Sequence, residues 1–335
     1  MQMKPLNVFP YDANFNFMRL RWVSLSIALV MMLVAIGAIA GKGFNFALDF
    51  TGGTVTELRF ERPVVVDDVR DRLEQAGYGG AQVQTFGSGT DLLVRLRPAT
   101  VEDGAASAAI DAAQAGETGG IGDDTAADIQ RALVIDGNPV TVLRSEYVGP
   151  QIGEELAING IWALIFVVVG FLIYISLRFE KKFAIAAVLT TLFDVMVVSG
   201  WFALSGHEFD LTVLAGVLSV MGFSINDTIV VFDRIRENFR ALRTDPLTVL
   251  NRSINQTLSR TVITSFVALL TMLALYFYGG GSLTGMAEAM LIGVMIGTLS
   301  SIFVAAPLLT IGPLSVTKQD LMPKARDEAE LARRP

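Results

Sequence analysis

The chain has 335 residues, of which 52% are hydrophobic, with no cysteine and a net charge of −7. A mean hydropathy of +0.51 is too high for an ordinary soluble globule and points to a chain that crosses a bilayer several times. Without cysteine there is no disulfide framework and no thiolate chemistry, and the acidic excess says little by itself because the charges are segregated by segment.

Residues 1–21 form a polar leader with Lys4, Arg19 and Arg21, and 22–40 is a first uncharged apolar run. At about 19 residues this run exceeds the 7–15 of a signal-peptide core, so Ala38-Ile39-Ala40 reads as the end of a retained anchor and not as a cleavage site. Gly37 and Gly41 make a G-x-x-x-G pair with the spacing to seat another helix. Residues 41–155 are polar, acidic and Gly-rich, with no stretch long enough to span. Asp49-Phe50-Thr51-Gly52-Gly53 opens this region, and its adjacent glycines permit φ > 0 and a tight bend where the chain leaves the membrane. Thr54–Phe60 reads as a strand, with Val55, Leu58 and Phe60 its apolar positions. Val66–Ala76 reads as a helix with Val69 and Leu73 on one face and Asp67 and Asp68 at its N-terminus. Gln82–Phe86 and Asp91–Leu96 read as a hairpin about Gly87-Ser88-Gly89-Thr90. Asp123–Val134 reads as a second helix and Pro139–Val148 as a last strand. The order β-α-β-β-α-β predicts a ferredoxin-like α+β domain, and the Ala- and Gly-rich 99–122 predicts a mobile insertion in it.

Five more apolar runs follow at 156–177, 183–204, 211–232, 261–277 and 287–311, the last with a second G-x-x-x-G at Gly293 and Gly297. Each is long enough for a hydrocarbon core of roughly 30 Å. A loop at 233–260 and a tail at 312–335 complete the chain. Lys4, Arg19, Arg21, Arg178, Lys181, Lys182, Arg234, Arg236, Arg240, Arg243, Arg252, Arg260, Lys318, Lys324, Arg326, Arg333 and Arg334 fall on one side, while Ser205–Asp210 and Tyr278–Met286 on the other hold no Lys or Arg. The positive-inside rule then makes the leader, the 233–260 loop, the tail and both termini cytoplasmic and the 41–155 domain external. Leu247, Leu250, Ile254 and Leu258 lie near helical spacing, which predicts an amphipathic helix on the membrane surface. The fold class is thus a polytopic α-helical membrane protein of six spans, with one external ferredoxin-like domain between the first two.

Three charges stand out: Asp194 in the middle of the third span, Asp227 in the fourth, and Arg260 at the start of the fifth. A charged side chain in a span costs about 2.5–3.5 kcal/mol on insertion scales and marks an ion or proton path. In low dielectric a carboxyl favours its protonated form, and an approaching guanidinium favours the ionised one, so bringing Arg260 toward Asp227 would load and release a proton. Asn226 is placed to hold neutral Asp227 by a hydrogen bond. Arg260 reads equally as an interfacial anchor, and Asp194 equally as a structural polar contact or a relay. His207, the only histidine, reads as a solvated loop residue.

Met221–Asn238, M-G-F-S-I-N-D-T-I-V-V-F-D-R-I-R-E-N, closely resembles the fourth-helix signature of the SecF family of protein-export membrane proteins, in the resistance–nodulation–division superfamily of gradient-driven transporters. Asp49–Gly53 resembles the D-F-x-G-G element that this family and its SecD partner carry after the first helix, and the layout agrees along the whole chain. The resemblance implies that Asp227 and Arg260 belong to a proton pathway. It also implies a complex with SecD and contact with the SecYEG channel, with YajC in the same assembly. The setting would be a bacterial inner membrane, with the external domain periplasmic and assisting translocating preproteins at the cost of the proton-motive force.

No P-loop, H-E-x-x-H or G-x-S-x-G is present, so neither an enzyme nor a cofactor or metal site is expected, and nothing points to nucleic acid. Half of a small-molecule or lipid exporter of the same superfamily is the second reading. An intramembrane aspartyl protease using Asp194 and Asp227 is the third, weakened because Ser224-Ile225-Asn226 stands where that class has G-x-G before the aspartate.

Overall fold

A computed structural model describes residues 15–79, 81–86, 90–96, 126–134, 138–242 and 244–317. The insertion expected at 99–122 lies outside the described residues, as do most of the leader and the tail from 318 onward. The chain divides into two units, Met1–Asn45 with Ala163–Pro335, and Phe46–Trp162.

α1 (Arg21–Lys42) follows a 3-10 turn at Phe17–Leu20. In the second unit a single helical turn, Leu48–Thr51, ends at Gly52. Gly52 and Gly53 take φ of 66° and 120°, conformations that residues with a Cβ avoid, and the chain turns there straight into β1 (Gly53–Phe60). α2 (Val66–Gln75), β2 (Gln82–Phe86), β3 (Asp91–Leu96), α3 (126–132) and β4 (Val140–Val148) follow. The strands form one antiparallel sheet in the order β2-β3-β1-β4. Along β1 the period of two buries Thr54, Thr56, Leu58 and Phe60 on one face, so Val55 belongs to the other. Leu58 and Phe60 close a core with Val69 and Leu73 of α2, Leu92 and Val94 of β3, and Ile129 of α3.

Asp91 faces Arg59 across the β1–β3 ladder, and the guanidinium donates to both carboxylate oxygens at 2.7 and 3.1 Å. This hydrogen bond holds the Asp91 carboxyl below its ordinary value. A carboxyl lowered on folding contributes stability above its unfolded pKa and loses it as pH falls through its folded value. Arg59→Ala is therefore expected to lower the protease resistance of the second unit at neutral pH and to flatten its decline on acidification, measured by limited proteolysis of the whole chain over a pH series.

α4 (Pro150–Arg178) leads into α5 (Lys181–Ser205), α6 (Leu211–Ala241), α7 (Pro246–Tyr278) and α8 (Gly281–Ser300). Among the described residues, six helices are long and apolar enough to cross a membrane. α8 continues into a π turn at Ser301–Ala305 and a last helical turn at Ala306–Leu308, so the run expected to 311 is not one regular helix. About half of the apolar stretch of α5, α6 and α8 is buried, but only 17% of α1 and 11% of α7, which makes those three helices the core of the first unit.

α8 lies against α6 through small residues: Gly285 meets Val213, Ala289 meets Gly216, Gly293 meets Val220 and Gly297 meets Ser224. Glycines let two helix backbones approach closely in a medium where apolar burial gives no drive to associate. Among the described residues the first G-x-x-x-G has no such role, since none lies within 4 Å of a Cβ built at Gly37 or Gly41; α1 instead meets α5 where Ala35 touches Gly200.

The loop expected at 233–260 is a helical hairpin. α6 runs on to Ala241, and α7 starts at Pro246 under an Asp245 cap that accepts from the Leu247 amide. The apolar face of Leu250, Ile254 and Leu258 does not lie on a membrane surface but packs with Phe232, Ile235 and Phe239 of α6. Helical periodicity read correctly there, and the extension of α6 supplied a protein partner for it. At the same level Arg178 pairs with Asp233 at 2.7 Å and Arg236 with Glu180 at 2.9 Å, fastening the α4–α5 turn to α6.

Candidate functional site

The polar interior of the first unit is built on α5, α6, α7 and α8. Asp194, on α5, is fully enclosed. Its Oδ2 accepts from Ser224 Oγ of α6 and, at 2.9 Å, from Ser300 Oγ of α8, while Oδ1 is buried with no partner. Ser224 and Asp227 are three residues apart and so share a face of α6. Asp227 is 3% exposed, and its Oδ2 is also buried without a hydrogen bond. Thr228 of α6 and Thr261 of α7 carry buried hydroxyls in the same condition. Buried polar atoms are normally paired, so four orphaned oxygens on three neighbouring helices make this interior the candidate site.

Arg260 lies next to Thr261 and is exposed. No described ion pair or hydrogen bond joins the two. α7 begins fourteen residues before Arg260, about four turns at 3.6 residues each, so the arginine stands on the flank of a long helix and not at its start. Asn226 does not hold Asp227. It is exposed on another face of α6, adjacent positions of a helix pointing about 100° apart.

Sequence reasoning missed Ser224, Ser300, Thr228 and Thr261. Ser224 was open to discovery, standing one turn before Asp227; Ser300 was not, because its link to Asp194 is tertiary. His207 is exposed, as read, and its Nδ1 also lies 2.9 Å from Glu288 of α8, whose Oε1 accepts from Trp201 Nε1 at 2.8 Å. Asp49, Phe50 and Thr51 sit in the turn of helix before Gly52 and Gly53, in the other unit.

Residues 131–312 match the family model described as protein export membrane protein SecD/SecF, C-terminal, and residues 37–64 match that of the SecD/SecF GG motif. The chain is 43% identical over 317 residues to the protein translocase subunit SecF of Pseudomonas aeruginosa, across 94% of this chain and 96% of that one. The chain belongs to the SecF family. SecF of Escherichia coli O157:H7 is 41% identical across 88% of this chain and 86% of its own length. The crystal structure of SecDF, a translocon-associated membrane protein from Thermus thermophilus, superposes with a TM-score of 0.74 at 38% identity, covering 90% of this chain. This SecF chain spans 39% of that protein's length.

Proposed function

We propose that this SecF chain works with a SecD subunit in a bacterial inner membrane, drawing on the proton-motive force to help preproteins complete their passage through SecYEG, with YajC in the same assembly. The observation that carries this reading is Asp227: an enclosed carboxylate with a bare oxygen, in a helix long and apolar enough to cross a membrane. Moving one charge through a potential of about 100 mV is worth roughly 2.3 kcal/mol, so repeated proton steps at such a group supply usable work. Arg260 is the release partner, its position on the flank of α7 leaving it free to approach. The second unit is the external, ferredoxin-like domain, a reading supported by the β-α-β-β-α-β order and the antiparallel β2-β3-β1-β4 sheet. Transport sites in such proteins lie between two halves, and this chain supplies one.

The Lys and Arg distribution puts both termini in the cytoplasm. A reporter that works only when exported, fused after Gly120, is expected to be active, and one fused at the C-terminus inactive; the reverse pattern overturns the orientation. The reading of the proton site is tested by translocation of a secreted reporter into inverted vesicles with and without an uncoupler. Arg260→Ala is expected to remove the uncoupler-sensitive part of export, whereas an interfacial anchor would leave it unchanged.

A further inference from the structure

Asp194 has no part in the proton step just described, yet it is the most completely enclosed carboxylate among the described residues. Three features meet at it. One of its oxygens takes hydroxyls from two other helices, Ser224 of α6 and Ser300 of α8, and its other oxygen is buried and bare. α8 abandons regular α-helix at the very next residue, entering the π turn Ser301–Ala305. A π turn is a local excess of one residue, and such turns gather at functional sites. Finally, the contact of α6 with α8 leading to this point is the ladder Gly285, Ala289, Gly293 and Gly297, one small residue every turn. Val213 and Val220 of α6 stand over Gly285 and Gly293, so side chains of α6 face a row of α8 that has almost none. The seam is tight across the helices, and among the described residues its one polar fastening is Asp194.

We propose that Asp194 is a positioning residue for the transport cycle, a proton-dependent latch that fixes the register of α6 against α8 through Ser224 and Ser300. The ionised carboxylate accepts both hydroxyl protons in charge-assisted bonds, roughly twice as strong as neutral ones. A proton on the carboxyl weakens both ties, and the π turn of α8 absorbs the small axial shift that follows. Because Ser224 stands one turn before Asp227, that shift moves Asp227 relative to α7 and Arg260. This last link rests on the reading of Asp227 as the proton site; the latch itself does not. α6 brings Asp227 and, in its last turns, Asp233, Arg234, Arg236, Glu237 and Arg240; α7 brings Arg252 and Arg260; α8 carries Glu288 twelve residues before Ser300; and the charges of α1 (Arg21, Lys42) and α5 (Lys181, Lys182) lie at their ends.

The test uses the whole chain in membranes. It has no cysteine, so Val213→Cys with Gly285→Cys gives a single thiol pair on the seam, at the point where Val213 Cγ2 lies 2.7 Å from a Cβ built on residue 285. Disulfide yield at fixed oxidant is followed from mildly acidic to mildly alkaline pH, and the same pair with Asp194→Asn corrects for thiol chemistry. The corrected yield is expected to change about fivefold with pH, the shift that about 1 kcal/mol of hydrogen bonding gives. Asp227→Asn should leave that change in place, and Ser300→Ala, which keeps both carboxylates, should at least halve it. If Asp194→Asn does not accumulate, the parent and Ser300→Ala profiles are compared directly. A corrected yield flat with pH, or one unmoved by Ser300→Ala, overturns the latch. A response removed by Asp227→Asn alone also overturns it while leaving the proton assignment of Asp227 standing.

Discussion

Asp227→Asn is expected to leave membrane insertion and subunit assembly intact and to abolish the uncoupler-sensitive part of preprotein export. Asparagine has the shape of the protonated acid and cannot release a proton, so the substituted chain is held in one state of the cycle. Asp227 is 3% exposed and its Oδ2 has no hydrogen-bond partner, so the change removes no observed bond at that oxygen. Breaking a buried ion pair would cost about 3–5 kcal/mol, but no ion pair with Asp227 is formed here, which is why stability should survive while coupling does not. The measurement is the difference in export of a secreted reporter with and without an uncoupler. Full retention of that difference would place the transported proton elsewhere.

The second large effect is structural. Gly293→Val is expected to destabilise the first unit by about 1–3 kcal/mol or more, the cost of forcing methyl groups into a packed interior. A Cβ at that position would stand 2.0 Å from Val220 Cγ2 and 2.6 Å from Cγ1, and the contact falls between two helix axes that cannot part without undoing the core. Gly222→Ala is the control, with nothing within 4 Å of its added Cβ. Thermal aggregation of the detergent-solubilised chain should come markedly earlier for the first variant and be unchanged for the second.

Much of this was legible in the sequence because the membrane imposes simple rules. Length and hydropathy alone separate the apolar runs, and a carboxylate at Asp194 or Asp227 stands out against them. The strand and helix order of the second unit followed from periods of two and 3.6. What failed did so where tertiary partners decide. The apolar face at Leu250, Ile254 and Leu258 had the correct period, but only the extension of α6 to Ala241 turns it from a membrane-lying face into core. Gly37 with Gly41 and Gly293 with Gly297 have the same spacing, and nothing local says that, among the described helices, only the second pair meets a partner. Asn226 was paired with Asp227 by adjacency, when helical geometry separates the two. Ser300 is 106 residues from Asp194, and no local pattern foretells that bond.

Proton uptake tests the assignment of Asp227 most directly. The chain and a SecD subunit are co-purified and reconstituted into liposomes holding a pH-sensitive dye, and a proton gradient is imposed. The assembled complex is expected to pass protons, the SecF chain alone to pass none, and the complex with Asp227→Asn to fall to the level of empty liposomes. Proton flux through the Asp227→Asn complex equal to that of the parent would contradict Asp227 as the site where the gradient is converted into work.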